Sequence, residues 1–114
     1  MKVNRGEIWQ VRLPFADGHE QSGERPVIII QNDVFTQSLP MIVVIPLTSA
    51  ISAKRFPATL PIQPNGQNGL RVTSIALVFQ VRSLDKRRFL RRIGCLDQND
   101  MDQILNRLNK LTEN

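Results

Sequence analysis

Six basic residues, Arg82, Lys86, Arg87, Arg88, Arg91 and Arg92, fall within an eleven-residue stretch whose only acid is Asp85. Arginine dominates the cluster, and a planar guanidinium fork suits phosphate oxygens better than the point charge of lysine does. Two readings stand side by side: a solvated surface turn, or a face that meets nucleic acid. Elsewhere, Arg25 precedes Pro26, and Thr48 ends an apolar run. A guanidinium and a hydroxyl are groups that can hold a phosphoryl oxygen, yet read alone Arg25 is more readily a strand-entry arginine and Thr48 a threonine of a β-rich turn. His19 is the only histidine, and its imidazole is suited to moving a proton near neutral pH; the bland reading is a solvated loop residue. Ser74 and Gln80 are six residues apart and share a face if their strand is regular. Cys95 is the only cysteine, so no internal disulfide and no metal-ligand spacing is available.

The elements that must carry these groups follow from periodicity. Glu7 to Leu13 alternates, with Trp9, Val11 and Leu13 on one side and Ile8, Gln10 and Arg12 on the other, as in a half-buried strand. Ala16 to Glu24 is a polar loop. Pro26 opens a second strand, Val27 to Ile30, at a position where its missing N–H need not break a ladder. Asn32-Asp33 closes it. Met41 to Leu47 predicts a third strand, and Ala58 to Ile62 a shorter edge strand among prolines. Asn65 to Gly69 is a turn segment, Ser74 to Phe79 a further strand, and Leu90 to Leu96 a last short one. Met101, Ile104, Leu105, Leu108 and Leu111 recur at helical spacing. Asp97 is placed to cap that helix, Asp100 is its third residue, and Leu96 with Met101 forms a staple. Arg107 and Lys110 suit its negative end.

The chain has 114 residues, enough for one domain spanning 1–114. Its longest apolar run stops at Pro46 and is far too short to cross a bilayer. The first eleven residues have no apolar signal segment, so a cytoplasmic location is expected. Fifteen basic against ten acidic side chains give a net charge of +5, which suits a polyanionic partner. Short antiparallel strands followed by one helix imply an α+β fold, a small strongly curved antiparallel β-barrel with a C-terminal helix.

The order of motifs resembles the MazF/PemK toxins. Arg5-Gly6-Glu7-Ile8-Trp9 is similar to the family's N-terminal signature, and Glu24-Arg25-Pro26-Val27-Ile28-Ile29-Ile30-Gln31-Asn32-Asp33 to its second strand. Ile45-Pro46-Leu47-Thr48-Ser49 resembles the end of its third. Gly69-Leu70, Ser74, Gln80, Val81-Arg82-Ser83-Leu84-Asp85-Lys86-Arg87 and Arg92-Ile93-Gly94 complete the likeness, which covers residues 5 to about 111. The resemblance implies the SH3-like barrel of the PemK/CcdB type and a toxin of a type II toxin–antitoxin system. It implies a homodimer that cuts single-stranded RNA at short sequences without metal or other cofactor, thereby inhibiting translation. Attack by the ribose 2′-OH would leave a 2′,3′-cyclic phosphate and a 5′-OH. The partner it implies is a cognate antitoxin with an acidic disordered tail, and no membrane is involved.

By the same resemblance Arg25 and Thr48 are the expected catalytic residues, with His19 as a helper in the loop beside them. Ser74, Gln80, Arg82, Lys86 and Arg87 are the expected RNA-binding residues. One departure stands out. Many relatives carry an acid before the glutamine, where this chain has Phe79, so the proton acceptor stays open and Phe79 either stacks on a base or packs inward. Trp9 and Cys95 are expected to be core. Two other functions fit the same fold: a CcdB-like gyrase-poisoning toxin, and a nucleic-acid-binding module without catalysis. The first needs a Trp-Gly-Ile-type C-terminus, whereas this chain ends Leu111-Thr112-Glu113-Asn114.

Overall fold

The computed structural model describes residues 2–18 and 20–114, so the expectation for His19 lies outside the described residues. Seven strands are described: β1 (Glu7–Leu13), β2 (Gly23–Ile29), β3 (Met41–Thr48), β4 (Thr59–Ile62), β5 (Ser74–Leu77), β6 (Arg82–Asp85) and β7 (Phe89–Cys95). With them are a single helical turn, α1 (Asp33–Thr36), and the long C-terminal helix α2 (Gln98–Thr112). All pairings are antiparallel, in the order β4-β5-β3-β2-β1-β7, with β6 also on β3. This is the expected α+β fold. The sheet is open at β4 and β7, so "barrel" describes it only loosely.

β3 organises the sheet. One of its sides pairs with β2 from Val44 to Pro46; the other pairs with β6 from Met41 to Val44 and with β5 at Leu47 and Thr48. β5 and β6 are thus two halves of one path along β3, broken by a 3-10 turn at Val78–Gln80. Pro46 stands in the gap between them, where no partner asks for its missing N–H. Pro26 obeys the same rule differently from expectation. β2 begins at Gly23, three residues before the proline, and up to Pro26 it pairs with β1 alone.

Both sheet faces are covered. Ile8, Ile28, Ile45, Leu47, Leu60 and Ile62 form a core closed by Met101 and Ile104 of α2. Trp9, Val11, Leu13, Val27, Ile29, Val44, Leu84 and Phe89 form a second core. β1 therefore carries apolar groups on both faces, and its half-buried pattern holds only at Gln10 and Arg12. The Trp9 and Phe89 rings meet edge to face at 6.0 Å. Asp97 caps α2 by accepting the Asp100 N–H at 2.8 Å, as its position implied. Arg107 does something the dipole argument missed: its Nε donates to the Thr59 carbonyl at 2.8 Å and ties α2 to β4.

The N-terminal signature is explained by packing. Glu7 accepts hydrogen bonds from the Asn4 backbone N–H at 2.8 Å, from the Trp9 indole at 3.0 Å and from Arg92 at 3.0 Å. Burial raises its pKa, but those donors and the Arg92 charge outweigh it and leave the carboxyl below its ordinary value. Arg92 also donates to the Cys95 sulfur at 2.7 Å. Cys95 is half-buried beside a cation, where a purely apolar core position was expected.

Candidate active site groove

An open groove of about 440 Å³ runs between β2, the end of β3, the start of β5 and β7. Arg25, Thr48 and Ser74 all line it, so three of the residues singled out from the sequence meet in one place. Pro26, Leu47 and Ile93 supply apolar lining. Arg71 and Arg91 complete it, and no acid is among its lining residues.

Local structure fixes each group. Arg25 lies in the exposed half of β2, opposite Val11, and no acid among the described residues pairs with it. Thr48 is the last residue of β3, and its Oγ1 accepts the Ala50 N–H at 3.2 Å. That bond occupies a lone pair and leaves the hydroxyl proton available to an anion in the groove. Ser74 is buried, and its Oγ donates to the Val72 carbonyl at 3.2 Å. Its hydroxyl proton is committed to shaping the turn before β5.

The turn that carries Arg71 is built around Asn68, which is fully buried. The Asn68 Oδ1 accepts the backbone N–H groups of Asn65 and Leu70 at 3.2 and 3.0 Å, and its Nδ2 donates to the Gln63 carbonyl at 2.8 Å. The turn docks on β7 through the Cys95 N–H, which donates to the Gln67 carbonyl at 2.9 Å. Two glycines make this possible. Gly69 has φ +69, and a Cβ on Gly94 would fall 2.4 Å from the Gln67 carbonyl oxygen. The glycines of the two motifs read from the sequence are thus the two sides of one contact.

The remaining candidates lie elsewhere. The strand that was to place Ser74 and Gln80 on one face ends at Leu77, and the 3-10 turn breaks the period of two. Gln80 turns to the loop between β1 and β2, where its Oε1 accepts the Gln21 N–H at 2.9 Å. Phe79 is half-buried: it packs on Phe56, ring centroids 5.4 Å apart, and with Phe56 and Ala58 it also lines an open hollow. Arg82 and Arg87 line a different groove of about 540 Å³ with Arg12, Arg88, Asp85, Met41 and Leu90. Arg87 is held there by Asp85 through two donors, at 3.1 and 3.2 Å. That bond pulls the Asp85 carboxyl below its ordinary pKa. Lys86 faces a third hollow, beside Asn4, Asp33 and Thr36. The basic stretch is therefore split because β6, a 3-10 turn and β7 point its members different ways. Sequence reasoning passed over Arg71 and Asn68, and the turn's wealth of Asn and Gly was the only signal for them. Among the described residues no three His, Cys, Asp or Glu side chains gather as a metal site. No described helix is long and apolar enough to cross a membrane.

Residues 4–112 match the family described as PemK-like, MazF-like toxin of type II toxin-antitoxin system. The chain belongs to that family. It is 34% identical over 104 residues to Endoribonuclease EndoA of Bacillus subtilis (strain 168), covering 91% of this chain and 89% of that protein. It is 32% identical over 106 residues to Endoribonuclease MazF of Staphylococcus epidermidis, covering 93% and 88%. The fold is similar to that of MazF from Deinococcus radiodurans, with a TM-score of 0.80 at 24% identity over 96% of this chain and 94% of that one. It is also similar to a mycobacterial endoribonuclease solved with its cognate antitoxin, with a TM-score of 0.74 at 17% identity, covering 96% and 93%. Membership gives the motif residues a shared fold to sit in, and the groove shows which of this member's side chains stand together.

Proposed function

We propose that this chain is the toxin of a type II toxin–antitoxin pair and an endoribonuclease that cuts single-stranded RNA at short sequences without a metal. The observation that carries this reading is the meeting of Arg25 and Thr48 in one groove free of acids. The curated relatives, both named endoribonucleases, support it. In the reaction the ribose 2′ oxygen attacks the adjacent phosphorus and the bond from phosphorus to the 5′ oxygen breaks. The 2′ proton leaves, the 5′ oxygen gains one, and the products are a 2′,3′-cyclic phosphate and a 5′-OH. Two Arg25 donors hold the non-bridging oxygens as their charge grows, and the Thr48 hydroxyl donates a further bond. Arg25 acts as a cation throughout, since an arginine does not give up its proton in such a site. No carboxylate lines the groove, so the 2′ proton passes to water or to His19, and water or His19 returns a proton to the leaving 5′ oxygen. Ser74 and Gln80 serve by position, Ser74 through the Val72 carbonyl and Gln80 through the Gln21 N–H. Cleaving messages in this way inhibits translation.

The second basic groove, with Arg82, Arg87 and Arg88, suits the acidic tail of an antitoxin, and Lys86 adds charge nearby. Solved relatives described as complexes of MazE with MazF support an antitoxin partner. The deciding experiment incubates the purified chain with a long single-stranded RNA in EDTA, beside Arg25→Ala and Thr48→Ala. The parent is expected to cut, leaving cyclic phosphate ends, and to leave the matching DNA whole because DNA lacks the 2′-OH. Each variant should lose about a hundredfold in rate or more. Intact RNA at high enzyme concentration, or full activity in Arg25→Ala, overturns the reading.

A further inference from the structure

The groove holds more positive charge than one scissile phosphate needs. Arg25 comes from β2, Arg71 from the turn before β5, and Arg91 from β7. None of the three pairs with an acid among the described residues, whereas Arg12, Arg87 and Arg92 are held by Glu24, Asp85 and Glu7. Arg91 pairs with Gln10 of β1, and Gln10 pairs in turn with Pro26, the neighbour of Arg25. Two strand spacings separate these rows, about 10 Å. A strand of RNA lying across them presents different phosphates to Arg25 and Arg91. Arg71 is held opposite β7 by the Asn68 turn, which is locked to β7 by the Gln67 carbonyl and the close approach at Gly94. Arg71 and Arg91 are therefore carried on two parts of the chain that cannot separate without breaking that contact.

We propose that Arg71 and Arg91 are RNA-backbone binding residues, each holding a phosphate next to the one cut at Arg25 and Thr48. The proposal rests on the endoribonuclease reading for its substrate, but its own content is a count of phosphates. The enzyme then needs an RNA with phosphates beyond the scissile bond, and a dinucleotide with a single phosphate is a poor substrate. Two of the counterions released on binding belong to these residues. For single strands the logarithm of affinity falls with the logarithm of salt by about 0.7 per phosphate neutralised, so losing both contacts should flatten the slope by about 1.4.

The test measures binding of a fluorescent 2′-O-methyl RNA 15-mer, which lacks the attacking hydroxyl and stays whole, at salt from 50 to 300 mM (roughly the range in which such slopes are read). The proteins are the parent, Arg71→Ala, Arg91→Ala, the double variant, the matching lysine variants, and Lys110→Ala as a control for net charge. Each alanine should weaken binding roughly fivefold to tenfold, a fraction of the value of a buried charged hydrogen bond because the groove is open. The double variant should show the flatter slope, the lysine variants should keep the parent's, and Lys110→Ala should match the parent. With cleavable RNA the alanine variants should raise KM while kcat at saturation stays within about threefold, unlike Arg25→Ala, which lowers kcat. A double variant with the parent's slope and affinity overturns the proposal, as does an equal loss in Lys110→Ala. A parent that leaves RNA uncut while the double variant still shows weaker binding and the flatter slope sinks the catalytic reading alone and supports this one.

Discussion

Glu7 shows how a motif residue can be indispensable without touching substrate. Its carboxylate gathers the Asn4 N–H, the Trp9 indole and Arg92, and its pKa lies below the ordinary value near 4.5. A carboxyl depressed in the folded state adds stability that is fully present above its unfolded pKa and is lost as pH falls through the folded one. Glu7→Gln should thus melt lower than the parent at pH 7, and the gap should shrink below about pH 4.5 as the parent's own carboxylate takes up its proton. Thermal melts from pH 3 to 7 check this, and a gap that does not change with pH would refute it. Arg25 is the opposite kind of residue. It makes no ion pair among the described residues, so Arg25→Ala should leave the melting temperature nearly unchanged while it removes activity. Circular dichroism melts beside the cleavage assay check the pair of outcomes.

Among the elements, the Asn65–Leu70 turn and β7 behave as one unit. Asn68 satisfies three backbone groups that have no strand partner, and removing its side chain leaves them to compete for whatever water reaches them. Asn68→Ala is expected to cost about 2–3 kcal/mol in a urea titration and to weaken RNA binding as well, because Arg71 follows the turn. Gly94→Ala places a methyl 2.4 Å from the Gln67 carbonyl oxygen and 2.5 Å from the Asn68 carbonyl carbon. Backbone atoms cannot swing aside as a side chain can, so the turn must lift from β7 at a cost of about 1–3 kcal/mol or more. Parent-like stability in Gly94→Ala would mean that the turn is not docked as described. The β5–β6 path teaches the same lesson for Gln80. Its side chain holds the loop ahead of Arg25 only because the 3-10 turn re-aims it.

Across the whole molecule, the +5 charge is less informative than where the unpaired part of it stands. One groove collects three arginines with no acid, and the other mixes four with Asp85. The surface also exposes apolar side chains that a lone 13.0 kDa chain gains nothing from showing to water. Phe15 is 88% exposed, and Val34 and Phe35 of α1, Leu39, and Met41 of β3 are exposed as well. Exposed groups of that kind point to a covering partner, which fits the homodimer implied by the family resemblance. Sedimentation at micromolar concentration should give about twice the chain mass, and a monomer that still cuts RNA would argue against the dimer as the active form.

Arg25 and Thr48 were marked as site residues by the family resemblance; the sequence by itself determined the strands at β1, β3 and β4, the capped helix α2 and the α+β class. These are local matters: side-chain period, capping chemistry and proline placement act over a few residues, and they leave marks that can be read along the chain. Only the tertiary structure decided that Ser74 shares the groove and Gln80 does not, because β5 ends at Leu77 and the Val78–Gln80 turn, held to Ala58 by the Phe79 N–H and to Phe56 by the Phe79 ring, re-aims Gln80. It likewise broke the run from Arg82 to Arg92 into separate surfaces, since β6 pairs with β3 and β7 with β1. Arg71 was invisible as a groove residue for the same reason. Its place depends on a buried Asn and on two glycines 25 residues apart that meet only when the chain has folded.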